Sequence, residues 1–328
     1  MELERTIFTI DTHTEGGPTR IIISGIPSLQ GKTMAEKMEF FRKNHDELRK
    51  FLVFEPRGHQ GMFAAVLTEP VNPKADIGAF FLTHSGYLGM CVHSAIGVAT
   101  AYLETGMRSS KKGSKAVKID TPLGLITLEP EENEGRLRSL TLKTNPAFVY
   151  KDEVLIDIGK PLKVSIVFSS VFFLLLDVSQ LGLSVERKNL PELQKVGVSL
   201  LEAANKSLSI SHPQDPWIGS IELAMIYEDL GPYRTRNVVV SRAGSVDRSP
   251  CGAGTGAKMT YLFARGKLKL DEEYVSQGVF ETSFRGKLVE SLMVGPYQGA
   301  IPQITGAAYI TGFHQFVLDK NDPLRTGI

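Results

Sequence analysis

Two stretches of this chain, "CVHSAIGVATAYLETG" and "CGAGTGAKMTYLFARG", begin at Cys91 and Cys251, 160 residues apart and so close to half of the 328 in the chain. In each, a threonine follows the cysteine by nine positions and a glycine follows by fifteen (Thr100 and Gly106; Thr260 and Gly266). Each stretch predicts a helix of about three to four turns, with the cysteine at its entrance and the glycine at its C-terminal cap. A duplicated unit with one such helix per copy accounts for both. The chain is therefore expected to fold as two similar halves.

The rest of the pattern agrees. "RTIFTIDTHTEGGPTRIIIS" has β-branched runs on both sides of a Gly-Gly-Pro turn, as in a hairpin. Met34–Leu52 has the spacing of an amphipathic helix, and "MFAAVLTEP", "IGAFFLTHSG", "KAVKIDTPLG" and "LITLEP" are strand-like, with "EENEGRLRS" as a turn. Near "TNPAFVYKDE" the order restarts with the apolar run Val164–Leu176, expected as a buried strand. A helix in "LPELQKVGVSLLEAANKSL" follows, then strands "IELAMIYED" and "RNVVVSRAG". The expected fold is mixed α/β (α+β), with two duplicated domains.

Composition removes several classes of function. With 37 basic and 36 acidic side chains there is no general attraction to nucleic acid or to an anionic membrane, so a small-molecule ligand is expected. The N-terminus is charged from its second residue and lacks the pattern of a secretory signal, and the longest uncharged apolar run is too short to span a bilayer. A cytoplasmic location is expected, with no membrane partner. Two cysteines exclude a disulfide-stapled scaffold and a cysteine-rich zinc module.

The chemistry then rests on what a cysteine does at a helix entrance. Unpaired N–H donors there stabilise a thiolate and also bind anions. Duplicated halves packed about a pseudo-two-fold axis would set Cys91 and Cys251 across one cleft. One thiol could remove a proton from a carbon and the other return it on the opposite face, inverting a stereocentre. The N–H groups of "CVHS" and "CGAG" suit the carboxylate of an amino acid and would stabilise the charge that develops as its α-proton leaves. Asp247 could bind the substrate ammonium, and His93 could hold the Cys91 thiol or meet the same ammonium. Read alone, Asp247 is equally an Asx-turn residue and His93 a structural histidine.

Several stretches together resemble the proline racemase family: "DTHTEGGPTRI" (11–21), "EPRGHQGMF" (55–63), "GMCVHSAIG" (89–97), "DRSPCGAGTGAKM" (247–259) and "GAAYITGFHQFVLDKNDP" (306–323). The resemblance implies a racemase or epimerase needing neither metal nor pyridoxal phosphate, usually a homodimer. It implies a fold like that of diaminopimelate epimerase, a curved sheet around a central helix in each half, with the active site in the interdomain cleft. Carried over, Cys91 and Cys251 exchange the roles of base and acid. The amides of Val92, His93, Gly252 and Ala253 hold the carboxylate, and Asp247 meets the ring nitrogen.

The domains are expected at 1–145 with 306–328, and at 146–305, the return of the C-terminal strand to the first half resting on the resemblance. The usual Cys-Gly-His is Cys-Val-His here, the usual Cys-Gly-Thr-Gly-Thr is Cys-Gly-Ala-Gly-Thr, and Gly61 stands where an acidic residue is usual. Proline-specific members resemble one another in walling the ring with two phenylalanines. Phe63 fits one of those places and Ser241 takes the other, which points to acceptance of both proline and 4-hydroxyproline.

A related branch dehydrates trans-3-hydroxy-L-proline and is similar in carrying threonine where Cys251 stands; it is the second expectation. A thiol redox or cysteine-nucleophile enzyme lacks the expected C-x-x-C. A metal site from His13, His59, His84 and His93 lacks helical ligand spacing. A non-catalytic imino-acid binding protein would use the amides and Asp247 but would need neither thiol.

Overall fold

The computed structural model describes residues 2–107 and 116–328; Lys115, which opens one expected strand, lies outside them. The chain divides into two units, Met1–Leu142 with Gly306–Ile328, and Lys143–Thr305.

The first unit contains β1 (Leu3–Thr14), β2 (Gly17–Ser24), α1 (Met34–Val53), β3 (Phe63–Thr68), β4 (Ile77–Thr83), β5 (Gly86–Leu88), α2 (Val92–Glu104), β6 (Val117–Thr121), β7 (Gly124–Asn133) and β8 (Arg136–Lys143). The second contains β9 (Ala147–Asp157), β10 (Pro161–Ser169), β11 (Val171–Asp177), α3 (Leu190–Ser207), β12 (Ile221–Gly231), β13 (Arg234–Ser241), α4 (Gly252–Ala264), β14 (Tyr274–Gly278), β15 (Ser283–Val294) and β16 (Tyr297–Gly306). The last strand, β17 (Ala308–Asp319), belongs to the first unit.

Within each unit the strands pair in the same sequence of senses. In the first, β17–β1 and β1–β2 are antiparallel, β2–β3 parallel, β3–β4 antiparallel, β4–β6 parallel, and β6–β7 and β7–β8 antiparallel. In the second, β9–β10 and β10–β11 are antiparallel, β11–β12 parallel, β12–β13 antiparallel, β13–β14 parallel, and β14–β15 and β15–β16 antiparallel. A parallel pair cannot be joined by a tight turn, so each parallel step carries a helical crossover. Those crossovers are α1 and α2 in the first unit and α3 and α4 in the second. The duplication expected from the cysteine spacing is thus present in the topology.

The two crossovers of each unit are unlike because their sequences are. α1 begins at Thr33, whose hydroxyl accepts the Glu36 N–H at 3.1 Å, and buries Met34, Phe41, Leu48, Phe51 and Leu52 along one face against β3 and β4. By contrast, α2 and α4 are built from small and apolar residues and are buried almost all round. α2 packs on β1, β2, β3 and β17, and α4 on β9, β10, β11 and β15. Gly97 allows the close approach of α2, since a Cβ there would stand 2.6 Å from Thr12 Oγ1 on β1. In the second unit β9 also pairs with β16 through Phe148 and Gly299, closing the sheet on itself around α4.

Two expectations need correction. The run Val164–Leu176 is not one strand but the facing parts of β10 and β11, which fold back at Ser170 with φ 65°. "EENEGRLRS" is mostly strand as well: β7 runs to Asn133, β8 starts at Arg136, and only Glu134 and Gly135 turn. No helix among the described residues is long and apolar enough to cross a membrane.

Candidate active site

Each central helix begins at a cysteine. Cys91 is the N-cap of α2, with extended backbone (φ −146°, ψ 120°), and the first intrahelical bond runs from the Ala95 N–H to its carbonyl at 2.9 Å. Cys251 is the N-cap of α4, and its carbonyl accepts the Thr255 N–H at 2.8 Å. The N–H groups of Val92, His93, Gly252 and Ala253 therefore stand ahead of the first intrahelical bond, in the turn where a helix binds anions. Neither first turn carries an acidic residue that would neutralise it.

In the first unit, the Cys91 Sγ lies 3.5 Å from His93 Nδ1 and 3.9 Å from Nε2. Phe63, at the start of β3, meets the His93 ring edge-on at 4.5 Å, and the Thr14 hydroxyl donates to the His93 carbonyl at 2.7 Å. Burial pushes the Cys91 thiol up, but the His93 charge and hydrogen bond, with help from Ser94, pull harder, so the thiol sits below its ordinary value. Ser94 is fully buried and accepts a hydrogen bond from the Thr19 hydroxyl at 3.0 Å.

In the second unit, the Cys251 Sγ accepts the Gly254 N–H at 3.3 Å. Asp247 uses Oδ1 to accept both the N–H and the hydroxyl of Ser249, at 2.8 and 2.9 Å, which is the Asx-turn its spacing allowed. Its Oδ2 takes no hydrogen bond among the described residues. Ser241 closes β13; its Oγ lies 2.6 Å from the Ser245 Oγ and accepts the Ser245 N–H at 3.1 Å.

The structure thus brings Cys91, Val92, His93 and Phe63 together in one unit. Cys251, Gly252, Ala253 and Asp247 sit together in the other, and Ser241 ends the neighbouring β13. Sequence reasoning passed over Ser249, although it stands two residues before the cysteine. It also missed Lys258, fully buried on α4 with Nζ 2.9 Å from Asp229 Oδ1 and over the Tyr227 ring at 3.3 Å. A single cation in the small and apolar "GAGTGAKMTYLFA" was the available signal. The other histidines are dispersed: His13 stacks on Tyr309, His59 accepts the Gly61 N–H at 3.1 Å, and His84 stacks on Phe54. Among the described residues no group of three or more His, Cys, Asp or Glu is placed to hold a metal ion.

The family model described as "Proline racemase" matches residues 9–328. The chain belongs to the proline racemase family. It is 40% identical to a proline racemase of Clostridioides difficile, over 100% of this chain and 99% of that one. It is also 35% identical to a trans-3-hydroxy-L-proline dehydratase of Bacillus thuringiensis, again over 100% and 99%. Among solved structures, a hydroxyproline epimerase from Agrobacterium vitis with bound trans-4-hydroxy-L-proline superposes with a TM-score of 0.89 at 30% identity, covering 100% of this chain and 96% of that one. Membership of the proline racemase family makes the chain an isomerase of the racemase and epimerase type, with the duplicated fold expected of it.

Proposed function

We propose that this protein inverts the α-carbon of proline and 4-hydroxyproline, with Cys91 and Cys251 exchanging the roles of base and acid and with no cofactor. The observation that carries the reading is that each unit's central helix is capped by a thiol, at the end where backbone N–H groups are left for an anion. The amides of Val92, His93, Gly252 and Ala253 hold the carboxylate. Charge flows into it as the α-proton leaves, so the same amides bind the transition state more tightly than the ground state. The ring nitrogen meets Asp247 through Oδ2.

Substrate range follows from Phe63 and Ser241. Phe63 offers one apolar wall. The Ser241–Ser245 pair has two hydroxyl protons and uses one between its oxygens, leaving one for a substrate hydroxyl. An apolar wall rejects an added hydroxyl only weakly, so a pocket with Phe63 on one side and Ser241 on the other takes the ring with or without the hydroxyl. The names of the relatives from C. difficile and A. vitis support the two substrates. Resemblance to the family adds a homodimer.

Incubation in D2O with L-proline and, separately, trans-4-hydroxy-L-proline tests the reading by NMR and polarimetry. Deuterium enters the α-carbon with inversion, and Cys91→Ser and Cys251→Ser each abolish inversion. A single variant that keeps most of its racemase rate would contradict the two-base scheme. The dehydratase relative motivates a second reading, loss of water from trans-3-hydroxy-L-proline. Cys251 weighs against it by supplying the second acid that inversion needs, and the absence of a dehydrated product from that compound separates the two.

A further inference from the structure

Cys251 has φ 63° and ψ 106°, in the left-handed half of backbone space that a residue with a Cβ avoids, whereas its counterpart Cys91 is ordinary extended chain. Such a conformation persists only where neighbours impose it, and here they do so from both sides. The Cys251 carbonyl accepts both the N–H and the hydroxyl of Thr255, each at 2.8 Å. Its N–H donates to the Ser249 Oγ at 3.1 Å. Ser249 is buried, and its hydroxyl donates in turn to Asp247 Oδ1.

The backbone leaves this segment little slack. The Asp247 N–H donates to the Val239 carbonyl on β13 at 3.0 Å. Pro250 lies against β14 at Gly278, where a Cβ would stand 3.2 Å from its nitrogen and 3.3 Å from its Cα. With residues 247 and 250 held, the Ser249 hydroxyl links the Asp247 carboxylate to the Cys251 N–H.

We propose that Ser249 is a positioning residue: its hydroxyl links the carboxylate that meets the substrate's ring nitrogen to the backbone N–H of the cysteine that exchanges the α-proton. One oxygen atom then sets both the left-handed turn at Cys251 and the orientation of Asp247, whose Oδ1 it occupies while Oδ2 stays unbonded among the described residues. This inference rests on the acid–base reading of Cys251 given above.

The test compares wild type, Ser249→Ala and Ser249→Thr. The first readout is kcat and KM for the better of proline and trans-4-hydroxyproline. The second is the ratio of Cys251 to Cys91 carboxymethylation by iodoacetate, followed site by site by mass spectrometry without substrate. Ser249→Ala is expected to lower kcat about 10- to 100-fold with a smaller change in KM, and to lower the alkylation ratio at least threefold as the Sγ leaves the Gly254 N–H. Ser249→Thr, which keeps the hydroxyl, stays within about threefold of wild type in both. Equal impairment of the two variants, or an alanine variant with wild-type kcat and ratio, overturns the proposal. Should Ser249→Ala not fold, Asp247→Ala breaks the same chain at its other end, and an unchanged alkylation ratio there overturns it too. A wild type without α-proton exchange would sink the functional reading alone, because the alkylation ratio needs no turnover.

Discussion

At the scale of single residues, the two thiols differ in how they are held. Cys91 is governed by a contest between burial, which raises its pKa, and His93 with Ser94, which lower it and prevail. The proposed two-base scheme needs a thiolate, so His93→Ala should move the acid limb of kcat/KM upward, each unit removing about tenfold of the thiolate at pH below the thiol pKa. A pH profile of α-proton exchange checks this; an unmoved limb would assign His93 to packing against Phe63. How this happens is only partly legible in sequence. That a cysteine stands at each helix entrance follows from the paired spacing to Thr and Gly. That Cys251 needs a left-handed backbone, and Ser249 beneath it, does not follow, because nothing in the letters "SPC" distinguishes the two cysteine conformations.

At the scale of elements, the central helices tolerate little added volume and no unmatched charge. Gly97→Ala would drive a methyl to within 2.6 Å of Thr12 Oγ1. Overpacking of this kind costs about 1–3 kcal/mol, and urea denaturation of the variant should show that loss. Lys258 is the charged exception on α4. Burial lowers its pKa to about 8, against the opposing pull of Asp229. The unfolded chain, with an ordinary lysine, then binds more protons between about pH 8 and 10.5, so this residue makes stability rise with pH across that window. Between pH 7 and 10 wild type should gain on Lys258→Met by up to ~3 kcal/mol, read as the difference between their urea midpoints. A constant difference would show that the ammonium is solvated in the fold. Hydrophobic periodicity located the helices well but joined β10 to β11. No charge interrupts the run from Val164 to Leu176 and no Gly, Pro, Asn or Asp marks its middle, so the reversal at Ser170 leaves only a weak signal.

At the scale of the whole molecule, the repeated order of strand senses means that each unit needs a first antiparallel partner, and the two obtain it differently. In the second unit β9 comes immediately before β10 in the chain. In the first, β1 is paired by β17, with Leu3 opposite Asp319 and Thr14 opposite Ala308. Ending the chain at Gly306 should therefore expose β1 and unfold the first unit while the amides of β10–β13 stay protected, as hydrogen exchange would report. Loss of protection in both units at once would show that they unfold as one.

The same pairing sets a timetable for biosynthesis. A ribosome that has released β1 must still deliver the rest of the first unit and all of the second before β17 emerges, a wait of roughly 15–60 s at about 5–20 residues per second. Throughout that interval β1 has an open edge, and its exposed Phe8 and Leu3 stand beside it. The inserted unit, whose sheet closes on itself, can finish meanwhile. Folding order is thus the reverse of reading order, and the first half made is the last completed.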